Sequence, residues 1–322
     1  GFGLSFVALG LFTTSLPVFY GLYFTMGVLA AGTLPMTFTK ILTNAFTARR
    51  GIAIGLALSG TGFCAFTVPI YAAVLIEEFG WRIAYIGLGA LPTLLALPLA
   101  AWLLPPDPER SGSNGAVVVD LGHEGLTVAE AIRTWQYWAM GIAFGLASAA
   151  ATGTLGNLVP ILVDDGYTRV QAAEMAASFG ISLVLGRLAV GYLVDYLWGP
   201  LVAALFLAPA VFSTIVLADG GWGTSWTLAA IAAVGIATGA EFDLAAYLCS
   251  RYFGRRNFAS IYAGQFVLFA LGGASATATF GAAHDHFGSY GPALLVSGVG
   301  FVLCILLLLS MGRYPVWADE RA

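Results

Sequence analysis

Residues 105–135, PPDPERSGSNGAVVVDLGHEGLTVAEAIRTW, form the one long polar stretch in a chain that is otherwise almost continuously apolar. The Pro, Ser and Gly clusters read as a flexible linker. Near the end of the stretch, Thr127-Val-Ala-Glu130 fits a capping box that opens a short amphipathic helix. On both sides lie apolar runs long enough to cross a bilayer core, which takes about 20 helical residues. Four precede the linker, near 1–20, 23–45, 51–76 and 83–104. Six follow it, near 136–163, 173–197, 200–218, 225–248, 258–283 and 292–312. The runs are continuous and lack the period-two alternation of a barrel, so the reading is an all-α membrane protein.

Composition points the same way. Of 322 residues, 59% are hydrophobic and only 9% charged, against about a quarter charged in a soluble chain. Thirteen Lys+Arg and 17 Asp+Glu cannot clothe a water-soluble fold of this size. A net charge of −4 leaves no electrostatic footprint for nucleic acid. Cys64, Cys249 and Cys304 sit in apolar runs without disulfide or zinc spacing. His284-Asp285-His286 is at most a weak metal candidate, and no catalytic or phosphate-binding motif occurs. No cofactor is expected.

Positive charge sets the orientation. With alternating spans, 11 of the 13 cations fall on one side, and only Arg82 and Arg169 on the other. The populated side is read as cytoplasmic, together with the linker and the C-terminus, in a multi-pass protein of the cell (inner) membrane. The expected layout is an N-terminal bundle over 1–104, the linker 105–135, and a C-terminal bundle with a short tail over 136–322.

The two bundles resemble each other. Ala48-Arg49-Arg50-Gly51 answers Gly254-Arg255-Arg256-Asn257 at an offset of 206. Phe79-Gly80 answers Phe287-Gly288, and Gly27-Val-Leu-Ala answers Gly235-Ile-Ala-Thr, both at 208. Matched loops lie on the same side, so the repeat is parallel, with an axis along the membrane normal. The spans at 136–163 and 173–197 have no counterpart before the linker. The expectation is therefore that two helices, roughly 70–80 residues, precede Gly1 and that this chain alone transports poorly. A ten-span protein is the alternative.

Six plus six helices around such a linker resemble the major facilitator superfamily. Three stretches narrow the likeness: Asn157-Leu-Val-Pro160-Ile-Leu-Val-Asp164-Asp-Gly166; Gly186-Arg187-Leu-Ala-Val-Gly191-Tyr-Leu-Val-Asp195; and Gly239-Ala-Glu241-Phe-Asp243-Leu-Ala-Ala-Tyr247, continued by Ser250-Arg-Tyr-Phe-Gly254 and Ile261-Tyr262-Ala-Gly264. They resemble bacterial members of the monocarboxylate-transporter and oxalate/formate-antiporter group. The likeness implies the major facilitator fold with about ten of its twelve helices present. There are departures. Tyr196 stands where the superfamily loop signature has Arg, Ser59-Gly-Thr-Gly-Phe-Cys64 lacks the drug-antiporter pattern, and Thr25-Met26 lacks an early arginine.

Charges at membrane depth cost about 2.5–3.5 kcal/mol each on the insertion scale, and so carry functional hypotheses. Arg187 lies about 12 Å along its helix from Asp195, and Glu241 and Asp243 about 15 and 12 Å from Arg251. A guanidinium stays protonated and grips a carboxylate through paired hydrogen bonds. The resemblance implies that Arg187 contacts the substrate anion; an ion pair with Glu241 or Asp243 is the purely structural alternative. The two acids are two residues apart, about 200° around a helix, so they point in opposite directions. One faces the pathway and couples to protons, with Glu241 ranked first. Asp195 and Arg251 are read as gate residues. Lys40, Asn157, Gln265 and Tyr262 are further substrate-contact candidates, each with a snorkelling or packing alternative.

The expected function is secondary active transport of small organic anions, monocarboxylates above all, by alternating access with possible proton coupling. The partners are the anion, protons and the lipid bilayer. The alternatives are a transporter-like membrane sensor and a drug or metabolite efflux antiporter. An intramembrane hydrolase is disfavoured by the opposed acids.

Overall fold

The computed structural model describes residues 1–33, 50–103 and 125–315, with some side chains of 50–73 and those of 103 and 277 left aside. It is helical throughout. Among the described residues the only bridge between extended segments is Gly125 with Gly254. Eight described stretches are long and apolar enough to cross a membrane, and Phe2–Phe12 is a shorter apolar helix. The chain divides into two compact units, Gly1–Thr37 with Cys64–Asp120, and Phe38–Phe63 with Leu121–Ala322.

In the first unit, α1 spans Phe2–Phe12 and α2 spans Leu16–Ala30. The apolar run expected over 1–20 is therefore broken at Thr13–Ser15. Ser15 stands at the N-cap in extended conformation and Pro17 falls in the first turn, the combination that starts a helix. Counting apolar residues alone overlooked it. Helix α3, Arg50–Ala90, belongs to this unit from Cys64 onward and is two helices merged across Gly80, whose φ of 80° and ψ of 166° are open to glycine but strained for other residues. A π-helical turn, Leu91–Ala96, and α4, Leu97–Leu103, complete that run. Arg82 Nη2 donates to the carbonyl of Thr13 at 3.0 Å, closing the C-terminal end of α1.

The second unit opens with α5, Val128–Ile132, where the expected capping box is formed: Thr127 and Glu130 satisfy each other's backbone N–H. The Glu130 carboxyl is held below its usual range by the Thr127 backbone and side-chain hydrogen bonds. Just before it, the N–H of Leu126 donates to Phe253 O at 2.9 Å. Helix α6, Trp135–Gly156, breaks at Asn157 before α7, Leu158–Asp164. Pro160 causes the break, because its ring cannot sit against the carbonyl four residues earlier in a continuous helix. Then follow α8, Arg169–Leu193, α9, Gly199–Asp219, α10, Thr224–Phe253, α11, Phe258–Phe287, and α12, Gly291–Leu309. Gly288, the repeat partner of Gly80, ends α11 at φ 69°. Both matched glycines thus terminate a helix with positive φ.

Packing pairs α8 with α10, α6 with α11 and α12, and α9 with α10 and α12. Small residues set the approach. A Cβ on Gly272 would strike the backbone of Gly145, so α11 and α6 cross with their main chains in contact. Leu185, Leu205, Val267, Leu271, Val296 and Val299 remain exposed, as suits a surface solvated by lipid tails. Cys249 on α10 and Cys304 on α12 are buried, while Cys64 is exposed.

Candidate functional site

The site grows out of the α8–α10 seam. Gly235 and Gly239 lie one turn apart on α10, and added Cβ atoms there would collide with α8. At Gly235 the collision is with Phe179 O at 2.8 Å, and at Gly239 with Leu183 O. Gly186 on α8 meets Ile236 O in the same way, at 2.5 Å. With no side chains between them the two backbones close up. Asp243 is the next residue in the same register, four beyond Gly239, so it too faces α8. There it meets Arg187, whose Nη1 lies 4.0 Å from Asp243 Oδ1.

Both partners are buried, at 5% and 4% exposure. At 4.0 Å the contact is Coulombic and longer than a hydrogen bond. With an effective dielectric near 20 it is worth about 4 kcal/mol before desolvation is charged against it. Tyr262 on α11 is an electrostatic neighbour of both, and its ring stacks on Phe258 at 5.5 Å. Among the described residues, neither Asp243 oxygen nor the Tyr262 hydroxyl has a hydrogen-bond partner.

The remaining sequence candidates lie elsewhere. Glu241 is 2% exposed but turned away from Arg187, with the Cys304 thiol of α12 as its electrostatic neighbour. The opposed directions of the two acids are as the helix geometry required. It is Asp243, the acid ranked second, that faces the arginine. Gln265 is buried, its Nε2 donating to Tyr137 O at 3.0 Å, which ties α11 to α6. Asn157 sits at the α6–α7 break and donates to Gly153 O at 2.9 Å. It lies about 24 Å along α6 from Gly141, where Gln265 packs, so the structure does not bring it to the Arg187 level. Lys40 is outside the described residues.

Asp195 and Arg251 occupy a separate layer at the ends of α8 and α10. Asp195 is half-buried in the turn after α8. Arg251, in the last turn of α10, lies over the Tyr314 ring at 4.8 Å. Tyr314 also accepts the Gly199 N–H at 2.7 Å and packs edge-on against Tyr252. Burial raises its hydroxyl above the ordinary tyrosine range. Sequence reading missed this clasp, and it missed the Gly235-x-x-x-Gly239 seam, although the small-residue spacing was there to find.

Long apolar helices with lipid-suited surfaces and a buried ion pair define a multi-pass helical membrane protein. The chain belongs to the Major Facilitator Superfamily, whose sequence pattern matches residues 1–277. It is related to monocarboxylate transporters. It is 28% identical to Monocarboxylate transporter 11 of Mus musculus over 291 residues, 85% of this chain and 63% of the mouse protein. The human protein of that name is 28% identical over 296 residues, covering 86% of this chain and 60% of its own length. The MFS-type transporter YhjX of Escherichia coli (strain K12), itself uncharacterized, is 26% identical over 230 residues, 70% of this chain and 56% of its own. The chain thus spans about three-fifths of the two monocarboxylate relatives. Among solved structures, the transporter FucP in its outward conformation matches with a TM-score of 0.69 over 97% of this chain and 80% of its own, at 16% identity. The likeness to FucP is one of fold.

Proposed function

We propose that this chain forms an anion-transport site in the inner membrane and that its cargo is a small organic anion, foremost a monocarboxylate. The observation that carries the reading is the buried Arg187 with the Asp243 carboxylate 4.0 Å away. A guanidinium in a low-dielectric layer holds its charge only against a counter-ion, and Asp243 is that counter-ion when no substrate is present. An arriving carboxylate competes with Asp243 for the same cation. If a proton joins Asp243 as the anion docks, the layer stays neutral throughout, which avoids leaving an unpaired charge at that depth. The reading is therefore proton–anion coupling in a one-to-one ratio.

Kinship with monocarboxylate transporters supports the substrate class. The distribution of cations supports a cytoplasmic linker and C-terminus. The two-bundle layout, 1–104 and 136–322 joined by 105–135, supports alternating access by relative movement of the bundles.

The test is uptake of labelled carboxylates into proteoliposomes containing the full-length protein, with an internal pH dye. Inward acidification that tracks uptake is expected, with Arg187→Gln abolishing both and Asp243→Asn uncoupling protons from anion. Full uptake by the Arg187→Gln variant refutes the proposal.

A further inference from the structure

Beside the ion pair lie three aromatic rings for which carboxylate capture has no use. Phe242 on α10 sits 4.6 Å, centroid to centroid, from Phe269 on α11 and 6.2 Å from Phe266. Phe266 and Phe269 stack at 5.8 Å with only 20° between their planes. The Arg187 guanidinium carbon is 5.9 Å from the Phe242 centroid, so the cluster abuts the cation directly.

The register sets these rings apart from the face of α11 that packs on α6. Tyr262, Phe266 and Phe269 follow one another at four and three residues, forming a single stripe on α11. The neighbouring stripe does the packing: Gly264 meets Tyr137, Gln265 bonds Tyr137 O, Leu268 covers Gly141 and Gly145, and Gly272 lies on Gly145. The phenylalanine rings stay half-buried, whereas Arg187, Asp243 and Tyr262 beneath them are buried. Along α11 the rings stand about 6 and 10 Å beyond Tyr262, the reach of a small acid's organic group above its carboxylate.

We propose that Phe242, Phe266 and Phe269 form the specificity wall of the site, selecting monocarboxylates with an aromatic or branched aliphatic group and rejecting dicarboxylates. The inference rests on the reading of Arg187 as the carboxylate contact. Ring faces are apolar and carry the negative side of the quadrupole. They attract the guanidinium and the apolar tail of a bound acid. A second carboxylate would lose its water against those faces.

The experiment is ligand titration of the purified chain in lipid nanodiscs with acetate, 3-methylbutanoate, phenylacetate and succinate. Phenylacetate and 3-methylbutanoate are expected to bind at least about tenfold more tightly than acetate, and succinate no better than acetate. Phe242→Ala and Phe269→Ala should each narrow that gap about tenfold. Phe269→Leu preserves most of the volume if the alanine variants fold poorly, and should weaken phenylacetate more than 3-methylbutanoate. Equal wild-type affinities for acetate and phenylacetate, or variants that lose all ligands in proportion, overturn the wall. Arg187→Gln separates the two readings. Its loss of every carboxylate alongside equal wild-type affinities leaves the arginine role standing without the wall. Retained acetate binding with ring-dependent selectivity refutes the arginine role instead. No carboxylate binding by the wild type overturns both.

Discussion

Replacing Gly239 by alanine adds one methyl group where none fits. Its Cβ would strike Leu183 O and lie 3.1 Å from Leu183 C and 3.2 Å from Arg187 N, all backbone atoms that cannot rotate aside. Ordinary contact requires α8 and α10 to part by about 1 Å. Overpacking of this kind costs about 1–3 kcal/mol. Moving Arg187 and Asp243 from 4.0 Å to about 5 Å removes a further 1 kcal/mol or so at an effective dielectric of 20. Alanine also improves helix propensity by about 1 kcal/mol. That gain is cancelled by comparison with Gly180→Ala on α8, where nothing lies within 4 Å of the added atom. In thermal unfolding followed with a thiol-reactive dye, Gly239→Ala should melt about 3–10 °C below Gly180→Ala. Coincident melting curves would refute the seam as the element that sets the ion pair.

Three further outcomes follow from the described geometry. Tyr314→Phe should cost about 1 kcal/mol by stranding the Gly199 N–H, and Tyr314→Ala about 2 kcal/mol by also uncovering Arg251, both read as lowered melting temperature. Gly288→Ala at φ 69° should cost about 1 kcal/mol, and Gly80→Ala at φ 80°, ψ 166° about 1–3 kcal/mol; equal, negligible losses would remove the conformational argument. Asp165, half-buried after α7, has its carboxyl pushed up from 3.8 to about 6 by burial and then by the neighbouring Asp164. The folded state therefore binds the extra proton between those values, so stability falls as pH rises from about 4 to 6. Asp165→Asn should flatten that slope in melting curves taken across the same window.

Much of this was legible in the chain. The apolar runs, the Thr127–Glu130 cap and the helix-ending roles of Gly80 and Gly288 depend on local chemistry, which sequence carries directly. The break at Thr13–Ser15 was written there too, but a count of apolar residues swamped the Ser15 and Pro17 signals. The choice between Glu241 and Asp243 is different in kind. Helix geometry says only that they oppose each other, and the face that meets α8 is decided by where two backbones can touch. The Gly235-x-x-x-Gly239 spacing, carried one more turn to Asp243, points to that face. The Phe242–Phe266–Phe269 cluster and the Tyr314 clasp join residues far apart in sequence, so no local rule could have proposed them.

The unequal burial of the three thiols makes the protein its own reporter. Cys64 is open to a hydrophobic maleimide in the native state, while Cys249 and Cys304 are sealed inside the second unit on α10 and α12. Labelling stoichiometry above one per molecule thus signals that the second unit has opened, without any engineered tag. The speed with which that excess accumulates at constant temperature gives the frequency of opening around the helix that bears Asp243.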